Sequence, residues 1–230
     1  MEFVHLATLV DAKYFDVARP GTLAERALIR ARDQIFQDFI DRMRPEPGSS
    51  ILDVGVSDVV NDGANLLERK YPHLHNVTAC GIGECVDFVR AFPDVTFRRI
   101  EPNRRLPFED GAFDIANSNA VLEHVGGQDN QIFFLRELLR VAKRVFVTVP
   151  NQFFPVEHHT AIPLLHFTDY GFKLACNALG KSAWTDPSNL TFLTRKKLWR
   201  LVDDLNANVA VGYTGLRLGP FSSNLFLALH

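Results

Sequence analysis

Cysteine is scarce in this chain. Three of its 230 residues are cysteines, Cys80, Cys85 and Cys176, too few and too scattered for a disulfide framework or a zinc site. That usage suits a reducing cytoplasm. Excess charge is missing as well. The 25 basic residues stand against 27 acidic ones, a net charge of -2, so no bulk electrostatic reason exists to expect nucleic acid or an anionic membrane as partner. No uninterrupted apolar run reaches the length needed to cross a bilayer. The opening stretch MEFVHLATLVDAKYF is broken by Glu2, His5 and Asp11 and has no basic lead, so it is not read as a signal peptide. A glycine-rich phosphate loop is also absent. After Ile51-Leu-Asp-Val-Gly55 come Val56, Ser57 and Asp58, where a dinucleotide fingerprint wants further glycines.

What is present is an ordinary globular composition, 47% hydrophobic and 23% charged, with 19 Phe that suit core packing better than a binding platform. From about Thr22 to Met43 the pattern is helical. Leu28, Ile35, Phe36, Phe39, Ile40 and Met43 share a stripe, and Arg30, Arg32, Asp33 and Asp41 are placed largely opposite. Pro45-Glu-Pro-Gly48 ends it. An alternation then sets in. Strands are expected at Ser50–Val54, Val77–Cys80, Val95–Arg99, Phe113–Asn117 and Arg144–Val149, with helices at Ala64–Lys70, Glu84–Ala91 and Gln131–Ala142. Strands separated by helices imply parallel pairing through right-handed crossovers, hence an open α/β sheet. Asn151 to Leu190 reads as an irregular or partly helical insertion, Thr194–Leu205 as a helix, and Asn208–Tyr213 and Asn224–Leu229 as two β runs about a Gly-rich turn. No repeat or linker divides the chain, so one domain is expected: an N-terminal helical segment (1–48), a core (49–151), an insertion (152–193) and a C-terminal helix with strands (194–230).

In an open α/β sheet, ligands bind at the carboxyl ends of the strands. Four pieces of sequence sit at such ends: Asp53-Val-Gly55, Gly81-Ile-Gly83, Ile100-Glu101 and Asn117–His124. One Asp-x-Gly is no more than a tight turn. Four strand ends carrying polar or glycine chemistry, in order, make a series.

The segment LPFEDGAFDIANSNAVLEHVG, Leu106 to Gly126, together with Arg136-Glu137-x-x-Arg140-Val141 and Val149-Pro150-Asn151, resembles the class I S-adenosylmethionine (SAM) dependent methyltransferases of the type 11 group. The resemblance covers roughly Ser49 to Asn151 and implies a Rossmann-like fold, a mostly parallel central sheet with helices on both faces. It places Asp53, Gly55 and Ser57 at the turn under the methionine part of SAM, and Gly81 and Ile82 by the ribose. Glu101 is placed at the adenine amino group, and Asn117 to Asn119 beside the sulfonium. Glu123 and His124 fall at the active-site mouth. Two positions depart from the family. Ser57 stands where a further glycine is common, and Gly81 stands where an acid usually accepts the ribose hydroxyls. Two readings of Glu84 stand side by side: it reaches back to the ribose, or it is an ordinary acid in the first turn of a helix.

Methyl transfer to a neutral hydroxyl also needs a base. The insertion offers Glu157, His158, His159 and His166 in FFPVEHHTAIPLLHF. His166, between Leu164, Leu165 and Phe167, reads as a core histidine, and His158-His159 also reads as an exposed loop pair. His124 reads equally as a structural group bonding a loop carbonyl. No metal is expected, because adjacent Glu-His-His side chains point apart on most backbones. Tyr170 and Trp184 are candidates for stacking on a substrate, with core packing the default for Trp184. The stretch from Pro150 to His166 is similar to family members among glycan and lipopolysaccharide assembly enzymes, which implies a sugar hydroxyl acceptor. Quinone precursors, lipids and other natural products are the wider choice.

The sequence reading is therefore a cytoplasmic SAM-dependent O-methyltransferase with a small or medium-sized acceptor. Catalytic candidates are His124, His158 and His159; cofactor candidates are Asp53, Gly55, Ser57, Gly81, Ile82, Glu84, Glu101, Asn117 and Asn119. Its rival is a non-catalytic methyltransferase-like binding subunit that has lost its cofactor. An α/β dehydrogenase is a poor third, lacking both the glycine fingerprint and the acid after the second strand.

Overall fold

The structure is a computed structural model that describes residues 22–61 and 63–230. Seven strands form one sheet: β1 (Ile51–Val54), β2 (Val77–Gly81), β3 (Thr96–Arg99), β4 (Phe113–Asn119), β5 (Ala142–Pro150), β6 (Val209–Leu218) and β7 (Phe221–Leu229), in the order β3-β2-β1-β4-β5-β7-β6. The first five pair in parallel, and β7 runs antiparallel to both β5 and β6. The alternation in the sequence thus becomes the mostly parallel sheet it implied.

Among the described residues six α-helices accompany it: α1 (Leu23–Met43), α2 (Leu66–Lys70), α3 (Val86–Ala91), α4 (Gln128–Val141), α5 (Asp169–Ala178) and α6 (Arg195–Val202). Strand parity sorts the core into two layers. Leu52, Val54, Val145, Val147, Leu225 and Leu227 face α4 and α6, burying Leu135, Leu138, Leu198 and Leu201. Ile51, Ala79, Ile115, Phe146 and Phe226 face the other way, against Ile35, Phe39 and Met43 of α1, Leu67 of α2 and Phe88 of α3. Neighbouring residues of one strand point to opposite faces, so both faces read apolar, as a sheet covered on two sides requires. The insertion is partly helical and holds a small core of its own, with Ile162, Phe172, Cys176, Trp184 and Leu190. Among the described residues, no helix is long and apolar enough to cross a membrane.

Several ends are shorter than the sequence suggests, because loop residues cap them. Ala64 and Asn65 lie outside α2, and Asn65 takes a left-handed backbone at its start. Glu84 lies outside α3, whose first amides, Asp87 N and Phe88 N, donate to Asp58 Oδ1 at 2.8 and 3.0 Å.

The Leu106–Gly111 segment is held by one cation. The Arg140 guanidinium on α4 donates to the carbonyls of Phe108 and Leu106 at 2.8 and 2.9 Å, and to both oxygens of Glu137 at 2.9 and 2.8 Å. Glu137 in turn accepts from Leu106 N at 2.8 Å. This network explains why Leu-Pro-Phe and Glu-x-x-Arg occur together. Arg140→Leu is expected to destabilise the fold by about 2–4 kcal/mol, since it strands Glu137 and two carbonyls. Arg140→Lys should restore little, because an ammonium lacks the planar fork. Urea unfolding of the three proteins checks this.

Candidate functional site

The strand order reverses between β1 and β4, and the site lies at their carboxyl ends. Asp53 and Asn117 are register partners across that pair, and Asn117 Nδ2 donates to Asp53 Oδ1 at 2.8 Å. Gly55 follows with a φ of +102°, and a Cβ there would stand 2.1 Å from Val121 Cγ2. The turn therefore needs glycine for its backbone and for its space. A cavity of about 90 Å³ opens above it, lined by Asp53, Gly55, Ser57, Asn117, Asn119 and His124, with His159 and Arg32 among its other walls.

Beneath the cavity lies a carboxyl pair. Asp53 and Glu68 are both buried. Burial pushes Asp53 up to about 6, against hydrogen bonding that favours the anion. Glu68 rises well above the carboxylate range, first through burial and then through the charge of Asp53. The folded state therefore holds protons that the unfolded chain releases above about pH 4. Stability contributed by these groups is greatest below pH 4 and falls as pH rises through about 6, by roughly 3 kcal/mol for Asp53. Glu68→Gln should be more stable than the parent by about 1–3 kcal/mol at pH 8, with the gap closing toward pH 5. Thermal or urea unfolding across that range measures it; equal gaps at both ends would contradict it.

The insertion supplies the facing wall. The turn Glu157-His158-His159-Thr160 is wound around the Glu157 carboxylate, which accepts from Thr160 N at 2.7 Å, from His159 N at 3.0 Å and from His159 Nδ1 at 2.7 Å. The Nε2 atom of His159 meets His124 Nε2 at 3.1 Å, and His124 Nδ1 donates to the Asn189 carbonyl at 2.6 Å. Burial would raise Glu157, but the charge and hydrogen bond of His159 hold it well below the usual range. Burial lowers His124 to about 3 and His158 to about 4. His159 is opposed by burial yet raised overall by Glu157. Burial also lifts Glu123 to about 7.

The sequence candidates thus divide. Asp53, Gly55, Ser57, Asn117, Asn119, His124 and His159 share one cavity. Gly81, Ile82, Glu84 and Glu101 do not line it. A Cβ on Gly81 would meet Cys85 Sγ at 2.7 Å and the Val56 carbonyl at 3.3 Å, so an acid has no room at that position. Glu84 is exposed and ion-paired with Arg99, an arrangement of little energetic weight. Asp58, next in the loop after Ser57, is occupied as the cap of α3. His158 and Glu157 line a second, mainly apolar cavity of about 300 Å³, with Leu28, Ile35, Phe154 and Leu218 among its walls. His166 is buried and donates from Nε2 to Phe154 O, 2.8 Å away. Trp184 is buried with its ring 4.9 Å from that of His159, whereas Tyr170 is exposed.

Two residues escaped the sequence reading. Arg32 is buried, not on the outer face of α1, and it lines both cavities. Its spacing from Leu28, Ile35, Phe36 and Phe39 put it on the apolar stripe, a signal the charge concealed. Glu68 carried no such signal, being an acid in the first turn of a short helix.

The comparisons follow this geometry. The type 11 family described as a methyltransferase domain matches residues 73–145, which take in β2 to β4 and the Glu123-His124 block but not the Asp53–Gly55 turn. A SAM-dependent methyltransferase from Aquifex aeolicus superposes with a TM-score of 0.58 at 15% identity, covering 95% of this chain and 97% of its own. The fold is that of a class I methyltransferase. Magnesium protoporphyrin IX methyltransferase from Synechocystis PCC 6803, with bound S-adenosylhomocysteine, gives 0.59 at 12% identity, with 95% and 92% covered. A SAM-dependent methyltransferase from Methanosarcina mazei gives 0.54 at 16%, with 85% and 96% covered. No curated protein matches the chain. At these identities the likeness to methyltransferases is one of fold, and chemistry has to be argued from the side chains.

Proposed function

We propose that the protein is a SAM-dependent methyltransferase that methylates an oxygen of an acceptor with an apolar body. One observation carries this reading. A cavity at the β1 and β4 ends, lined by Asp53, Asn117 and Asn119, and an apolar cavity of about 300 Å³ share Arg32, Asn119 and Ala120 as a common wall. When bound, SAM supplies a methyl group already activated by a positive sulfur, so the chain's task is largely positioning.

The residues present suit the cofactor's amino-acid end. The Asp53 carboxyl on the cavity wall suits an α-ammonium. Arg32, a buried cation without an ion pair to any described residue, suits the carboxylate. Gly55 keeps the turn flat enough for close approach. At the ribose end Glu84, held only by an exposed pair with Arg99, is available to a hydroxyl in place of the acid that Gly81 excludes. The apolar cavity receives the acceptor, and His158, whose Nε2 has no hydrogen-bond partner among the described residues, lines it as the base. That lining favours a natural product or a lipid-linked glycan precursor over a free sugar.

Incubation with methyl-labelled SAM and two acceptor panels tests this. Label is expected in organic-extractable hydroxyl compounds and not in free sugars. His158→Gln should lower kcat by about 10²–10⁴ with SAM affinity unchanged. Transfer confined to free sugars, or an unaltered kcat, would overturn the acceptor assignment.

A further inference from the structure

The His124–His159 contact poses a chemical problem. The Asn189 carbonyl can only accept, so His124 Nδ1, 2.6 Å away, carries the proton. The Glu157 carboxylate likewise fixes the proton of His159 on Nδ1, at 2.7 Å. In the neutral rings both Nε2 atoms then present lone pairs to each other across 3.1 Å. The Glu123 carboxylate completes the group. It is 1% exposed, and neither of its oxygens has a hydrogen-bond partner among the described residues. Its Oε1 lies 3.9 Å from His124 Nε2, and one ligand atom from each of the three residues falls within 4.8 Å of the others. Three donor side chains converge within 4.8 Å, the buried Glu123 carboxylate among them.

We infer that Glu123, His124 and His159 form a binding site for a divalent transition-metal ion, one carboxylate and two imidazole nitrogens beside the cofactor cavity. Two nitrogens bound to one ion at about 2.0–2.1 Å stand roughly 2.9 Å apart at a right angle and 3.3 Å apart at the tetrahedral angle, and the observed 3.1 Å lies between. Each imidazole already has the outer partner that a metal-bound histidine uses to fix its tautomer, the Asn189 carbonyl for one and the Glu157 carboxylate for the other. The Trp184 ring, 4.9 Å from that of His159 and 6.3 Å from that of His124, forms an apolar wall. Mixed nitrogen and carboxylate donors favour Zn²⁺, Co²⁺ or Mn²⁺ over Mg²⁺ or Ca²⁺, which take oxygen. His124 and His159 line the cavity at the β1 and β4 ends, so open positions on the ion face that cavity and can take an acceptor oxygen. No metal is expected from the sequence, where only the adjacent Glu157, His158 and His159 are weighed as ligands. The fold replaces the first two with a pair from the loop after β4.

The ion's role toward the acceptor rests on the methyl-transfer reading; its binding does not. Chelator-treated full chain is titrated with Zn²⁺ and, separately, with Co²⁺, following metal content and the visible Co²⁺ spectrum. One ion per chain is expected, with Mg²⁺ failing to compete. His124→Ala and His159→Ala should weaken Zn²⁺ binding by about 100-fold or more, and Glu157→Gln by about 10–100-fold. The exposed His75→Ala should leave it unchanged. Should the histidine variants fail to fold, the nearly isosteric Glu123→Gln decides, with an expected loss of at least about 10-fold. Absence of stoichiometric binding, or binding unchanged in His159→Ala and Glu123→Gln, overturns the site and leaves a proton shared by two imidazoles. SAM affinity of the metal-free protein is measured in parallel. Ion binding without SAM binding supports the site and sinks the methyl-transfer reading; the converse sinks the site alone.

Discussion

Gly55→Ala is expected to lose about 2–5 kcal/mol of stability and to weaken SAM binding by about 100-fold. The estimate joins two costs. The residue sits at φ +102°, where a side chain is strained by about 1–3 kcal/mol. Its new Cβ would stand 2.1 Å from Val121 Cγ2, an overlap that costs a further 1–3 kcal/mol, roughly. Val121 leads into Leu122–His124, so relief of the overlap displaces the loop that carries Glu123 and His124. Misplacement of about 1 Å costs on the order of 10²-fold in a positioned site. The Gly55→Ala/Val121→Ala double variant separates the two costs. It should recover the overlap share and keep the backbone strain. Urea unfolding and SAM titration of the three variants measure both; a single variant with parental stability and affinity would remove Gly55 from the account.

Arg32→Met is expected to split stability from binding. Arg32 is buried and makes no ion pair or hydrogen bond to a described residue, so its charge is held at a cost that a thioether does not bear. Stability should stay level or rise by about 1 kcal/mol. SAM affinity should fall by about 10–100-fold, the loss of a charged hydrogen bond worth about 1.5–3 kcal/mol. Arg32→Lys should recover only part of it, because a point charge cannot grip a carboxylate at two atoms. A destabilised Arg32→Met protein with full affinity would make the residue a packing element of α1.

The fold was largely legible. Parallel β1 to β5 follow from apolar runs set between helical periods, and the ends moved by a few residues where Asp58 and Asn65 cap helices from the loop between β1 and α2. The candidate site was legible where strand ends carry it. Asp53 and Asn117 are 64 residues apart, yet the parallel pairing of β1 with β4 puts their carboxyl ends side by side. What the sequence left unread depends on depth and on loop paths. Arg32 lies on the apolar stripe, whereas its charge had grouped it with the polar face opposite. Glu68 is buried beside Asp53, a partner from β1 that no local spacing announces. His124 and His159 meet because the insertion folds back over β4, which no local spacing announces. The empty acid position at Gly81 finds its reason in Cys85, whose sulfur fills the space a side chain would need.

The central claim is that the cavity at the ends of β1 and β4 is a SAM site. Calorimetric titration of the full chain with SAM and with S-adenosylhomocysteine tests it most directly. One saturable site per chain is expected for each, weakened in Arg32→Met and again in Gly55→Ala. No binding of either ligand at millimolar concentration, by a protein shown to be folded, would contradict it.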